Sequence, residues 1–134
     1  MAFSLNYLQV EGKEIVAVVV RFFPQNTAAP IVNDSTGLSP NGVTRSGVGV
    51  FLISFAQNYP EFLGAIATVQ LNAFANTTVQ TGAFTAGASY AQPAAGYATL
   101  AVTTVTGGAA ADITANANNS VTVTAFFRKS SVQT

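Results

Sequence analysis

One stretch limits the fold more than any other. Residues 44–55 read Thr-Arg-Ser-Gly-Val-Gly-Val-Phe-Leu-Ile-Ser-Phe. At a period of two, Val48, Val50 and Leu52, followed by Ser54, fall on one side, and Phe51, Ile53 and Phe55 on the other. A strand apolar on both sides has to be covered on both. The stretch therefore predicts a two-layered β domain with 44–55 as its central strand. Val50, Phe51, Leu52 and Ile53 are expected to be buried. Gly47-Val48-Gly49 precedes a strand instead of following one and opening a helix, so it lacks the basis of a phosphate loop. These glycines read as strand-entry flexibility or a bulge.

The other segments fit the same class. Phe3, Leu5 and Tyr7 alternate with Ser4 and Asn6, which predicts a short first strand or an ordered N-terminal arm, closed by a turn at Glu11-Gly12-Lys13. Residues 14–23 form the next strand, with Val16, Val18, Val20 and Phe22 on one face, and Pro24 as its stop. Residues 25–42 read as a long connection whose Asn41-Gly42 makes a hairpin turn. At 58–63 Asn58 is placed to cap a single helical turn near Pro60. Residues 65–74 read as a half-buried strand, Ala67, Val69 and Leu71 opposing Thr68, Gln70 and Asn72. Residues 75–98, rich in Ala, Gly and Thr, form an extended excursion with at most a weak hairpin. Strands follow at 99–106, broken by Gly107-Gly108, and at 120–129, where Val121, Val123, Ala125 and Phe127 alternate with Thr122, Thr124 and Phe126. Five or six strands and no long helix predict an all-β chain. It is read as one antiparallel β-sandwich domain over 1–134, jelly-roll-like or barrel-like, with 75–98 as its excursion.

Chemistry is narrowed by what the chain omits. At 134 residues it is long enough to bury a core without a metal or disulfide. It has no cysteine and no histidine, which removes thiolate sites and the commonest general base and transition-metal ligand. Charged residues are 7% of the chain, against roughly 25% in ordinary domains, and the net charge is zero. Clustered cations for nucleic acid are missing, Arg128-Lys129 being the one close basic pair. No apolar run approaches the roughly 20 residues of a membrane helix; 15–23 is short and carries Arg21. Residues 1–10 hold no basic, apolar leader pattern. The glycosylation patterns at Asn33, Asn76 and Asn118 are chance matches in a chain this rich in Asn, Ser and Thr.

Glu11, Glu14, Asp34, Glu61 and Asp112 sit at turns or strand ends, with no spacing that supports a glycosidase pair. Asp34, Asp112 and asparagine oxygens suit calcium in type, yet without the spacing of a calcium loop. Arg45 reads as a paired surface charge. The expectation is a protein with no catalytic residue, no metal and no cofactor. So little charge leaves a monomer a poor colloid, which implies that surface is buried in an assembly. Phe84, Tyr90 and Tyr97, isolated in the excursion, are read as anchors at a subunit contact in preference to a ligand surface.

Three stretches carry a resemblance. They are Ala17-Val18-Val19-Val20-Arg21-Phe22; Val43-Thr44-Arg45-Ser46-Gly47-Val48-Gly49-Val50-Phe51; and Ala111-Asp112-Ile113-Thr114-Ala115-Asn116, which leads into Ser120-Val121-Thr122-Val123-Thr124 and closes on Phe127-Arg128-Lys129-Ser130-Ser131. In pattern they resemble the small decoration and appendage proteins of tailed-phage virions. The resemblance covers about half the chain and leaves 75–98 unmatched. It implies a β-sandwich made in the host cytoplasm that forms a homotrimer or otherwise self-associates, and binds the major capsid protein. It would cement the capsid surface, with no nucleic-acid or membrane partner. A tail, baseplate or fibre component is the alternative within that class; a carbohydrate-binding β-sandwich module is the rival from another. The resemblance transfers no functional residue, because such proteins act through surfaces.

Overall fold

Strand β9, Ser120–Arg128, lies in the middle of a sheet because its period-two pattern gives it one wholly apolar face. Val121, Val123, Ala125 and Phe127 are buried on that face, and Thr122, Thr124, Phe126 and Arg128 face outward, half-buried. The computed structural model describes residues 15–33, 37–87 and 96–128. Among these it shows nine strands and no helix, arranged as an antiparallel β-sandwich.

The first sheet has the order β2-β1-β9-β5, from β1 (Ile15–Gln25), β2 (Ala28–Asn33), β9 and β5 (Glu61–Gln70). The second runs β3-β4-β7-β6, from β3 (Leu38–Gly47), β4 (Val50–Phe55), β7 (Thr99–Thr106) and β6 (Thr77–Thr85). The two-residue β8, Ala109–Ala110, pairs with β7 through the Gly107-Gly108 turn. The chain crosses between layers after β2, β4, β5 and β8. At the rims, β2 lies against β3 and β5 against β6, so consecutive strands close both sides of the sandwich.

Between the sheets, Val18, Val20 and Phe22 of β1 and the inner face of β9 meet Phe51, Ile53 and Phe55 of β4 and Leu100 and Val102 of β7. Phe22 and Phe51 cross at 4.9 Å. Phe127 is central at the other end: its ring lies 4.9 Å from Phe55, 5.0 Å from Tyr59, 5.6 Å from Phe62 and 5.8 Å from Phe84. Such ring pairs add about 0.5–1.5 kcal/mol each beyond area burial.

Several sequence expectations are corrected. Residues 44–55 are not one strand but parts of two, β3 and β4, joined by a turn at Val48-Gly49. Gly49 takes φ +67°, which favours glycine, and a bulge falls between Arg45 and Gly47. Val48 is 56% exposed. Val50 and Leu52 are half-buried on the outer side of β4, so the apolar run is covered in full on one face only.

Residues 25–42 hold a hairpin into β2 and the start of β3. Asn26 has φ 57° at the hairpin turn, whereas Gly42, at φ 59°, lies in an irregular part of β3. Pro24 does not stop β1; it is buried at a register shift, a place in a sheet where proline fits. No helical turn forms at 58–63. The excursion contains β6, a nine-residue strand on the edge of the second sheet. The predicted strand or arm at 3–7 lies outside the described residues.

Phe127→Ala should cost about 3–5 kcal/mol in urea unfolding. Leu52→Ala, on the outer side of β4, should cost only about 1 kcal/mol. Equal costs would mean that β4 presents its other face to the core.

Candidate functional site

Two of the three anchors named from the sequence lie among the described residues. Phe84 is half-buried and stacks on Phe62 at 4.5 Å, rings 8° from parallel. Phe62 belongs to β5 and Phe84 to β6, so this pair bridges the two sheets at one rim of the subunit. Tyr97 is half-buried beside Ala98. The Asn58 side chain holds that segment: its Oδ1 accepts from the Ala98 N–H at 2.7 Å, and its Nδ2 donates to the Gly96 carbonyl at 2.8 Å. Tyr90 lies outside the described residues.

The acids are similarly placed by structure. Glu61 pairs with Arg128 at 3.0 Å across β5 and β9. Asp112 accepts two bonds from Arg45, 2.9 Å from Nε and 2.7 Å from Nη2, and a third from the Gly49 N–H at 2.9 Å. Glu11, Glu14 and Asp34 lie outside the described residues, among which no group of three acids is arranged for a metal ion.

Around Asp112 the backbone closes tightly. Thr104 donates its N–H to Gly49 O, its carbonyl accepts from Ala111 N–H, and its hydroxyl donates to Ala111 O at 2.7 Å. A Cβ on Gly49 would meet Ala111 and Thr104 backbone atoms at 2.7 Å. The forked Arg45 contact thus locks the β3–β4 turn to the segment after β8, a use of Arg that Lys would not reproduce. The Arg45 bonds hold the Asp112 carboxyl below its ordinary value; partial desolvation opposes them, and the Gly49 N–H adds to them.

The remaining candidate surface is the outer face of the first sheet. Register places Val19, Thr124 and Ile66 in one row, and Ala17, Phe126 and Gly64 in the next. Val19 is 46% and Ile66 60% exposed, with Ile15 and Ile31 also exposed on β1 and β2. Two arginines lie on this face: Arg21, within β1 beside the Val19 row, lies over the Phe23 ring at 4.9 Å, and Arg128, at the end of β9, is paired with Glu61. The corresponding face of the second sheet carries Val50 and Leu52 among Thr44, Ala101, Thr103 and Gln80. The sequence showed apolar residues at both phases of β1, but gave no sign that one phase faces outward.

Comparison with protein-family models, with curated proteins and with solved structures returns no match.

Asp112→Asn tests the clamp. A lowered folded-state carboxyl value means that its stabilisation is complete above the unfolded value, about pH 4, and is lost as pH falls through the folded value. The variant should melt below the parent at pH 7, and the gap should narrow on acidification below pH 4. A constant gap would show that the charge contributes nothing. Gly49→Ala should destabilise by more than the roughly 1–2 kcal/mol of a left-handed residue alone, because backbone also blocks its Cβ.

Proposed function

We propose that this chain is a non-enzymatic structural protein of a tailed-phage virion, a cement protein that trimerises and seats on the major capsid protein. The observation that carries the proposal is the outer face of the first sheet. Antiparallel sheets with one solvated face normally alternate apolar-in and polar-out. Here Ile15, Val19, Phe126 and Ile66 break that alternation across three neighbouring strands. Surfaces of this kind mark contacts with other proteins. The virion setting comes from the sequence resemblance.

Size is consistent with such a contact. Four strands at roughly 4.8 Å spacing and about 30 Å of strand length give a footprint on the order of 550 Å². Two partners together then bury about 1,100 Å², just above the roughly 1,000 Å² floor for a specific interface. A footprint this small holds better when used several times at once, as three linked copies on one shell would use it.

Symmetry helps to assign the face. One flat patch packed against its own copy produces a two-fold pair, whereas a ring of three needs two different patches on each subunit. In a trimer this face is left for the capsid. The sandwich edges, β2 beside β3 and β5 beside β6, limit pairing by strand addition, so contact by faces is favoured.

Val19→Asp combined with Ile66→Asp should abolish co-sedimentation with shells lacking the protein. The melting temperature should stay close to the parent's, since both side chains are exposed. Undiminished sedimentation would remove this face from the contact. Light scattering of the parent should give a trimer; a dimer dispersed by the same substitutions would show that the face joins copies of the chain, and would end the cement reading as stated.

A further inference from the structure

At the end of the sandwich that holds Asp112, the β5–β6 loop and the segment between β8 and β9 enclose a concavity of about 350 Å³. Its polar lining comes from Asn72, Thr77, Thr106, Thr114, Asn116 and Asn119. An adjoining volume of about 350 Å³ shares Asn72 and Thr77 and has Phe74 in its wall. Each volume falls in the roughly 300–1,000 Å³ range of small-ligand sites. Phe74 is 108% exposed, the most exposed large apolar side chain among the described residues.

We propose that this concavity binds a neutral saccharide, with Phe74 as the platform for one sugar ring. Three features support the assignment. First, the polar groups are fixed in advance. Asn119 Oδ1 accepts from the Asn72 N–H at 2.7 Å, and Asn119 Nδ2 donates to the Thr114 carbonyl at 2.9 Å. Asn118 Nδ2 donates to Asn72 Oδ1 at 3.1 Å, and Asn116 Oδ1 accepts from the Asn118 N–H at 2.8 Å. The Thr77 and Thr106 hydroxyls lie 2.8 Å apart. These bonds engage the amide oxygens and leave the Asn72 and Asn116 carboxamide N–H groups without a protein partner among the described residues.

Second, the site carries no free charge. Asp112 is the one ionisable residue in its lining, and Arg45 neutralises it. Phosphate, carboxylate and nucleic-acid ligands find no cation here, which selects an uncharged ligand rich in hydroxyl groups. Third, the Phe74 ring lines one volume together with Asn72 and Thr77, a pairing that matches the two-sided chemistry of a pyranose. Its C–H face stacks on the ring while its hydroxyls both donate and accept. The surface differs from the apolar sheet face, so the proposal stands apart from capsid binding.

The test is a nitrogen-15 NMR titration of the full chain with malto-, cello-, chito- and manno-oligosaccharides at millimolar concentration. At least one series should shift the amides of 72–77 and 116–119 in a saturable way. Phe74→Ala should weaken that binding about tenfold or more at unchanged melting temperature, and Phe74→Tyr should restore it. Absence of saturable shifts with all four series overturns the proposal, as does equal binding by Phe74→Ala. So does a Phe74→Ala variant whose only change is a lower assembly mass in light scattering, since the ring would then be a contact with a second copy.

Discussion

The buried ring of Phe127 joins more of this chain than any other group described. It comes from the last strand and touches rings from β4, the 58–60 corner, β5 and β6. Those partners lie on both sides of two crossings between the layers, so the ring can be enclosed only when both crossings are made. The same strand completes the first sheet by entering between β1 and β5. The core therefore depends on contacts between residues far apart in sequence, such as Phe55 with Phe127. A topology of this kind pays its loop-closure entropy before its contacts form, which slows folding and makes it cooperative.

The opposite end is closed by polar chemistry. Arg45, Asp112, Gly49 and Thr104 form a bonded cluster where the β3–β4 turn meets the chain after β8. Two of the three stretches that carry the phage resemblance meet in this cluster, and the β1 stretch lies beside β9. In this chain these stretches fasten strands that are distant in sequence. The described charges are engaged in the same way. Among the described residues both carboxylates are paired with arginines, and Arg21 lies over a ring.

Legibility in the sequence followed side-chain size and periodicity. The strong two-residue period with large apolar residues identified β1, β7 and β9 nearly to their ends. β6 was hidden because Thr, Gln, Gly and Ala supply little contrast on an edge strand. β2 was hidden by its Pro30 and its short length. The run at 44–55 misled because apolar residues continue through the Val48-Gly49 turn, while the stronger turn dipeptide, Asn41-Gly42, lies within a strand. Arg45 was legible as a paired charge, but its partner lies 67 positions away. The concavity near Phe74 was not legible at all, because it exists only when two loops from different layers come together.

The two proposed surfaces occupy different parts of one scaffold, and that separation has mechanical content. The apolar face lies along the strands of the first sheet, while the amide-lined concavity lies at the end where β5 and β7 stop and β6 and β9 begin. Covering the face need not cover the end. The loops at that end are held by the Arg45–Asp112 clamp and by side-chain amides, not by the aromatic pack, which lies at the other end of the strands. A change in the concavity can therefore be made without loosening the Phe127 core, and a change on the outer face without disturbing either. Separate surfaces on one sandwich allow the sheet face and the concavity to be occupied at the same time.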